Sequence, residues 1–435
     1  MSKIKNVFIS FKERLLKSEF NKNVLILSGG TIIAQALPVL ISPILTRLYS
    51  PSDFGVLALF ISITSIVGVI ANGRYELAIM LPEKDEDAIN VAAVGFLFNI
   101  AISLLFLIFI IIFKKPFLKL LKAESLSFWI YFAPLTVFFI GLFQILNYAN
   151  NRFKLYKDIS KSNILKSIAS SLVQLTLGFL KTGTSGLILG QMSAQAVANT
   201  KLFSNIKKTG LLKEIKKEKI KILYKKYINF PKINLFHALL DTIQSNGIII
   251  LLTTFYGSNV IGFYFLSLRI LGIPSQFISN SLYQVIYQKA AEIYNKKQKM
   301  LEFYKKIILS LGVSSTVIFF IILVLSFNIL DFIFGKNWHG IGLYIRSLLG
   351  WIFFQFIVSP ISSLPLILNK QKELFLVSII GKIILFTTLI IGYILKLNII
   401  NIFYLISLFM SIYFIFCIYW IGYLLKKYND DILED

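Results

Sequence analysis

Long runs of apolar residues alternate with short polar segments along almost the whole chain. A transmembrane helix needs about 20 predominantly apolar residues, and twelve runs approach or exceed that length. The predicted spans cover 24–47, 54–81, 89–113, 126–149, 164–181, 184–203, 233–255, 259–288, 307–329, 341–369, 374–395 and 399–425. The pattern therefore predicts an all-α integral membrane protein with about twelve transmembrane helices.

Proline residues interrupt several of these predicted spans. Proline lacks a backbone N–H and clashes with the preceding turn, so it frees carbonyl groups and permits a kink. The prolines concerned are Pro38, Pro43, Pro134, Pro274, Pro360 and Pro365. Bent or broken helices are expected at these positions.

Basic residues are concentrated in the short loops between the apolar runs. The net charge is +24, which in a soluble protein would suggest nucleic acid as a partner. If the N-terminus is placed in the cytoplasm, 32 of the 45 Lys and Arg residues fall on the cytoplasmic side and eight on the other. This bias predicts a multi-pass protein of the bacterial inner membrane with both termini inside, and no nucleic-acid partner.

Two polar segments have amphipathic character. Residues 1–23 place apolar groups three to four positions apart among lysines, which predicts an interfacial helix; the alternative is the start of a signal peptide. Residues 205–232 are rich in lysine and predict a basic linker helix on anionic lipids, or alternatively a solvated linker. Residues 426–435 are expected to form a cytoplasmic tail.

An internal repeat emerges when the chain is shifted by 207 residues. Thr46, Tyr49, Gly55 and Leu59 then fall on Thr253, Tyr256, Gly262 and Leu266. Both copies lie at the turn from the first to the second span of a half. The repeat predicts two parallel six-helix lobes, 24–204 and 233–425, around a central cavity.

Residues 43–82 contain two sequence motifs that resemble those of a known protein family. The stretch Pro-Ile-Leu-Thr-Arg-Leu-Tyr-Ser-Pro-Ser-Asp-Phe-Gly, followed by Arg-Tyr-Glu-Leu-Ala-Ile-Met-Leu-Pro, resembles bacterial polysaccharide-unit flippases, the O-antigen translocases of the Wzx type. The resemblance continues through the acidic run 83–88. It implies the MATE-like fold of the multidrug/oligosaccharidyl-lipid/polysaccharide (MOP) exporter superfamily, with alternating access between two lobes.

The same resemblance implies a substrate and partners. The substrate would be an undecaprenyl-diphosphate-linked oligosaccharide, moved from the cytoplasmic to the periplasmic leaflet for O-antigen, other lipopolysaccharide, capsule or exopolysaccharide synthesis. Polymerase and chain-length proteins of such a pathway would be partners. No enzyme activity and no cofactor are implied.

Cations inside the predicted spans are candidates for binding the diphosphate, because a charged head group cannot cross hydrocarbon without compensation. The candidates are Arg74, Arg269, Arg346 and Lys382. Arginine offers a planar fork to phosphate oxygens. The alternatives are that Arg74 pairs with an acid such as Glu76, and that Arg346, like Lys166, extends to the lipid head groups.

The predicted spans contain only two acids, Glu76 and Asp241. Asp241 follows His237 by four residues, so both would share one helix face and could couple transport to protons or sodium ions. The alternative is a static salt bridge between Asp241 and Arg269. Glu76 and Arg47 are predicted gate residues, although Arg47 could equally be an interfacial anchor.

The sequence has fewer of the features that other functions would require. A multidrug exporter of the same superfamily would be expected to carry acids in the first span, which has none. A membrane glycosyltransferase or polymerase would need a large outer loop or an acidic cluster, and a lipid II flippase typically has fourteen spans. Metal ligation and disulfides are not expected from one cysteine, Cys417, and two histidines, His237 and His339.

Overall fold

The computed structural model describes residues 19–275, 279–327 and 329–434. Within these residues all regular structure is helical, which confirms the all-α expectation. Most of the predicted interfacial helix at residues 1–23 lies outside the described residues. Contacts divide the chain into two compact units after Gly262, whereas the predicted lobe boundaries, the linker and the tail stay predictions.

The first unit contains ten complete α-helices in its described part. They are α1 (Glu19–Leu40), α2 (Ser42–Leu48), α3 (Pro51–Gly68), α4 (Tyr75–Ala78), α5 (Asp85–Leu121), α6 (Ala133–Arg152), α7 (Tyr156–Phe179), α8 (Thr184–Lys208), α9 (Lys217–Lys226) and α10 (Leu235–Tyr256). Helix α11 (Ser258–Leu271) starts in this unit and continues into the second.

The second unit continues with seven further helices in the described residues. They are α12 (Asn280–Asn295), α13 (Leu301–Leu325), α14 (Ile329–Phe334), α15 (Ile341–Ile361), α16 (Leu364–Ile367), α17 (Gln371–Ile394) and α18 (Ile399–Glu434). Helix α15 packs against both α13 and α18, and buries Leu348 and Phe356 completely.

Eight helical segments of the described chain are long and apolar enough to cross a membrane, and α11 and the end of α10 are shorter apolar segments. The strongest is α5, whose most apolar window has a mean hydropathy of 3.0. Helices α7 and α8 are long as well, with 24 and 25 residues, but more polar. The chain is thus a multi-pass membrane protein, and the count of twelve spans stays a prediction.

Helices end or begin at or near the predicted prolines of four spans, the first, fourth, eighth and tenth. Helix α1 ends two residues after Pro38, and α2 begins with Pro43 in its first turn, so Ile41 separates the two helices. The hydroxyl of Ser42 donates to the carbonyl oxygen of Pro38 over 2.7 Å. This bond satisfies one of the acceptors that the end of a helix leaves free.

Two glycines of the repeat pack reciprocally at the start of α3 and α11. A Cβ atom on Gly55 would overlap the carbonyl oxygen of Ser258, and one on Gly262 would overlap that of Pro51. Each glycine and the carbonyl opposite it are therefore exchanged by the 207-residue shift. The side chains of Ser52 and Ser258 also share a hydrogen bond of 2.8 Å. This close contact of the two backbones explains the glycine in both copies of the repeat, since only glycine lets two backbones approach so closely.

The lysine-rich segment 205–232 packs against the rest of the first unit. The segment is not one continuous helix, because α8 ends at Lys208 and Gly210 has a φ of +74°. A short 3₁₀ turn, Leu211–Glu214, and α9 follow. Leu223 of α9 is buried in the core of the first unit. The segment is therefore a docked element rather than a solvated linker.

Candidate functional site

The second predicted span is interrupted by a loop in which the backbone leaves the right-handed helical conformation. Helix α3 ends at Gly68, and α4 starts at Tyr75. Gly73 and Arg74 both have positive φ angles, 57° and 63°. A non-glycine residue in this left-handed conformation costs about 1–2 kcal/mol, so the surrounding contacts must hold it. We call residues 69–76 the arginine break.

An ion pair closes the arginine break. Arg74 Nη1 lies 3.2 Å from Glu76 Oε1, and the exposed fractions of the two side chains are 20% and 1%. Continuous helical geometry would keep residues two apart on different faces. The structure therefore realises the alternative that pairs Arg74 with Glu76, while a part of the arginine remains accessible.

Buried amides surround the arginine break. The amide nitrogen of Asn72 donates to the carbonyl oxygen of Gly141 over 3.0 Å and to Gln144 Oε1 over 3.1 Å. Asn72 Oδ1 and both carboxylate oxygens of Glu76 are buried without a hydrogen-bond donor of normal geometry in the described residues. Such acceptors are costly to bury. They give the site capacity for a proton or another donor.

Arg152, at the end of α6, holds the loop that follows α4. Its Nε atom pairs with Asp85 Oδ1 at 2.8 Å, and its Nη1 atom donates to the carbonyl oxygen of Ile79 over 3.1 Å. Nη2 donates to the carbonyl oxygen of Glu83 over 3.3 Å. The planar fork of arginine makes this three-point clamp possible. No motif in the sequence marks Arg152 for this role.

The acidic run after α4 binds the basic segment. Lys219 Nζ of α9 lies 2.8 Å from Glu86 Oε2 and 3.0 Å from Asp87 Oδ1. The pKa of Lys219 is raised, mainly by its hydrogen bond to Glu86 and secondly by its hydrogen bond to Asp87. The opposite charges of the two segments are visible in the sequence, but they do not single out Lys219.

Residues around Tyr49 cap the start of α3 and form hydrogen bonds with neighbouring helices. Ser50 caps α3 in a capping box: its Oγ accepts from the amide of Asp53, and Asp53 Oδ2 accepts from the amide of Ser50. Thr184 of α8 donates to Asp53 Oδ1 over 2.6 Å, and Tyr49 donates to the carbonyl oxygen of Gln174 over 2.6 Å. These contacts join α2 and α3 to α7 and α8.

The other predicted substrate-binding cations lie in the second unit. Arg269 is half-buried on α11. Arg346 Nη1 donates to the carbonyl oxygen of Ser326 over 2.9 Å, and its guanidinium lies 4.6 Å from the centroid of the Phe327 ring. Lys382 is half-buried on α17. The contacts of Arg346 give it a structural role at the end of α13, and substrate contact by any of the three stays a prediction.

The predicted ion-coupling and gate residues lie in the first unit. Asp241 is on the exposed face of α10, and the side chain of His237 lies outside the described residues. Asp241 and Arg269 belong to different units, so a bridge between them stays a prediction. Arg47 is exposed, and its Nη1 donates to the carbonyl oxygen of Pro43 over 3.0 Å.

Lys166 is a further cation in the interior of the first unit. Its ammonium group lies 4.5 Å from the centroid of the Phe143 ring, within the range of a cation–π contact. No cluster of three or more metal-ligating side chains occurs among the described residues. The charged chemistry of the described first unit thus centres on the arginine break, the Arg152 clamp and Lys219.

Solved transporter structures share this fold. The lipid II flippase MurJ in an inward closed conformation matches with a TM-score of 0.65 and 16% identity, covering 94% of this chain and 91% of that one. An outward-facing multidrug resistance MATE family transporter of the MOP superfamily matches at 0.59 and 13%, covering 95% and 98%. A MOP superfamily transporter from Pyrococcus furiosus matches at 0.60 and 13%, covering 95% and 98%. The chain therefore has the MOP-superfamily transporter fold.

A family model described as polysaccharide biosynthesis protein matches residues 44–342. The match covers more than half of the chain, so the chain belongs to this family of polysaccharide biosynthesis proteins. No curated protein matches the chain. The family match thus shows a polysaccharide biosynthesis protein, and the solved structures confirm the expected MATE-like fold.

Proposed function

We propose that the protein is a flippase for undecaprenyl-diphosphate-linked oligosaccharides, which it moves from the cytoplasmic to the periplasmic leaflet by alternating access. The observation that carries the proposal is the accessible part of Arg74, held beside a buried carboxylate in a broken membrane segment. The family match and the likeness to a lipid II flippase support a lipid-linked substrate.

The charges of the predicted spans favour an anionic substrate. The predicted spans contain only two acids, Glu76 and Asp241, and eight cations: Arg47, Arg74, Lys166, Lys181, Lys201, Arg269, Arg346 and Lys382. A diphosphate with two negative charges needs such compensation away from water. A multidrug exporter is the second candidate, since MATE transporters share the fold. The cation excess is opposite to what a site for cationic drugs would require.

Deletion of the gene tests the proposed substrate in the bacterium. We expect lipid-linked repeat units to accumulate facing the cytoplasm and surface polysaccharide to disappear. Wild-type protein and Lys299→Gln, which removes an exposed charge outside the predicted spans, should restore the polysaccharide, whereas Arg74→Gln should not. Intact surface polysaccharide with altered drug sensitivity would favour the exporter instead.

Ion coupling through Asp241, with His237 four residues earlier, is part of this proposal. Carboxylates within membrane segments commonly mark proton or ion pathways. Transport in vesicles under imposed proton and sodium gradients should lose its gradient dependence in Asp241→Asn. Unchanged gradient dependence would exclude coupling through this residue.

The topology and the partners belong to the same proposal. Both termini would lie in the cytoplasm of the inner membrane, and the exposed lysines of 205–232 would contact anionic lipids. Polymerase and chain-length proteins would use the flipped units. Fusion of a periplasm-activated reporter to the C-terminus tests the topology, because reporter activity there would contradict it.

A further inference from the structure

The start of α13 and the last turns of α18 enclose a cleft of about 930 Å³ on the second unit. Its charged wall consists of three lysines, Lys305, Lys426 and Lys427, and one acid, Asp430. All three lysines are exposed, and none forms an ion pair with an acid among the described residues. The cleft therefore presents an excess of positive charge that the protein does not neutralise itself.

A hydrogen bond and a glycine shape the floor of this cleft. The hydroxyl of Tyr304 donates to the carbonyl oxygen of Ile418 over 2.5 Å, and the Tyr304 side chain is buried. Gly422 faces the Tyr304 ring so closely that an added Cβ would lie 3.2 Å from it. Nearer the helix ends, the amide of Met300 donates to Asn429 Oδ1 over 2.8 Å. These contacts fix the two helices against each other, so the cleft is a built part of the fold.

The face of α18 beside the cleft passes from aromatic to basic residues. Tyr419, Tyr423 and Lys426 lie four and three positions apart and hence on one side of the helix. The exposed fractions of Tyr419 and Tyr423 are 74% and 56%. Tyrosine is enriched at the boundary between membrane and water, and lysine is enriched in the polar region on the cytoplasmic side. This order of side chains matches a lipid from its acyl chain to its head group.

The counterpart of this cleft in the first unit is covered by the chain itself. Helices α5 and α8 are the third and sixth predicted spans of the first half, as α13 and α18 are of the second. The 3₁₀ turn Leu211–Glu214 contacts both α5 and α8. Leu212 and Ile215 line an apolar cavity of about 230 Å³ between α5, α6 and α8. The basic segment thus places apolar side chains against these helices and leaves Lys213 and Lys216 exposed.

Asn90 of α5 holds this covering segment in place. Its side chain is completely buried; Nδ2 donates to the carbonyl oxygen of Glu214, and Oδ1 accepts from the amide of Lys216, each over 2.9 Å. The second unit differs, because α18 continues as one helix to Glu434. The described chain therefore has no segment after α18 that crosses to α13, and the cleft stays open to a separate molecule.

We propose that the cleft between α13 and α18 binds an anionic phospholipid of the cytoplasmic leaflet. Lys305, Lys426 and Lys427 bind its phosphate, and an acyl chain lies along Ile418 and Tyr419. The lipid thus covers in the second unit what the basic segment covers in the first. The choice of leaflet rests on the proposed topology, whereas the binding chemistry depends only on the cleft.

Charge complementarity favours this occupant. Basic pockets between transmembrane helices are typical sites for anionic lipid head groups, whereas a zwitterionic phospholipid brings no net charge. Two alternatives differ from it in experiment. In one, the cleft is a water-filled groove with solvated lysines. In the other, the bound phosphate belongs to the polyprenyl diphosphate carrier rather than to a phospholipid.

The first test compares lipids by native mass spectrometry of the purified full-length protein in a neutral detergent. Phosphatidylglycerol should bind its tightest site at least about tenfold more strongly than phosphatidylcholine, since each nearby lysine contributes roughly fivefold in affinity for an anionic head group. Exchanging all three lysines, Lys305→Gln, Lys426→Gln and Lys427→Gln, should weaken phosphatidylglycerol binding at least about tenfold and leave phosphatidylcholine binding unchanged. Equal affinity of the wild type for the two lipids would overturn the site in favour of a water-filled groove.

A matched variant separates the cleft from the general surface charge. Lys296→Gln, Lys299→Gln and Lys372→Gln together remove the same charge from exposed positions of the second unit that do not line the cleft. This triple variant should keep the wild-type Kd for phosphatidylglycerol. An equal loss of affinity in the two triple variants would overturn the assignment to the cleft.

Photo-cross-linking of the wild-type protein locates the lipid without any variant. The protein is placed in phosphatidylcholine vesicles that contain phosphatidylglycerol with a diazirine in its acyl chain, and labelled peptides are identified after irradiation. Labelling should concentrate in 301–305 and 418–430, and excess unlabelled phosphatidylglycerol should abolish it. Labelling confined to other helices would contradict the site.

Competition distinguishes the phospholipid from the carrier lipid. Suppression of the labelling by undecaprenyl diphosphate, but not by an equal amount of phosphatidylglycerol, would assign the cleft to the carrier and overturn the proposal. The proposed function is tested separately, because none of these measurements uses an oligosaccharide. Binding of phosphatidylglycerol in the cleft of a protein that moves no lipid-linked oligosaccharide would contradict the flippase alone.

Discussion

The guanidinium of Arg74 lies 3.2 Å from the carboxylate of Glu76, two residues further along the chain. The contact exists because the backbone leaves the helix at Gly68 and resumes it at Tyr75, with Gly73 and Arg74 at positive φ. A local break thus converts two charges that a helix would keep apart into one buried pair. This pair is the structural basis of the proposed substrate site.

Arg74→Gln should destabilise the protein, because it leaves the buried Glu76 carboxylate without its cation. The expected cost is about 1–3 kcal/mol, the penalty of leaving one buried polar group unsatisfied. Thermal unfolding in detergent would register it as a lower apparent Tm. Adding Glu76→Gln should recover most of the loss, since the double variant buries no charge.

The control for this comparison is Lys299→Gln, which removes an exposed positive charge and should leave the apparent Tm unchanged. A double variant as unstable as Arg74→Gln alone would show that Arg74 stabilises the arginine break through contacts other than Glu76.

Gly55→Ala and Gly262→Ala should each destabilise the first unit. Each added methyl group would overlap a backbone carbonyl that cannot move away as a flexible side chain would. Overpacking of this kind typically costs about 1–3 kcal/mol. The matched control is Gly312→Ala on α13, where a Cβ would have no atom within 4 Å. There alanine should be neutral or stabilising, because it favours helix over the unfolded chain.

Equal losses of apparent Tm in the two variants are expected, since the repeat places the glycines in reciprocal positions. Stability like that of Gly312→Ala would contradict the close approach of α3 and α11.

Lys219→Glu should detach the basic segment from α5, because it replaces attraction to Glu86 and Asp87 with repulsion. Limited trypsin digestion at low ionic strength should then cleave 205–232 several-fold faster than in the wild type. Lys221→Glu, an exposed position on the same helix, makes the same charge change and removes the same number of trypsin sites. Equal cleavage of the two variants would show that apolar contacts such as Leu223 alone hold α9.

The helices themselves were predictable, because apolar runs and prolines carry direct physical consequences in a membrane. The break after Pro38 is one example. The repeat singled out Gly55 and Gly262, but it did not predict their contacts with the opposite backbone. The arginine break was not predicted, although the dipeptide Asn72-Gly73 is a turn signal. The long apolar run from 54 to 81 obscured it.

The long-range contacts of the site were beyond the sequence pattern. Arg152 and Asp85 are 67 residues apart, and nothing in either segment specifies the other. Lys219 is one of many lysines in its segment, so the acidic run alone did not indicate which of them would dock.

The central claim is that the protein flips a lipid-linked diphosphate sugar with the help of Arg74. The most direct measurement reconstitutes the purified protein in vesicles with a fluorescent polyprenyl-diphosphate-linked oligosaccharide and follows its exposure to a membrane-impermeant quencher. Wild-type protein should move the probe between leaflets, Lys299→Gln should match it, and Arg74→Gln should lower the rate at least tenfold. Wild-type movement no faster than in protein-free vesicles, or full activity in Arg74→Gln, would contradict the account.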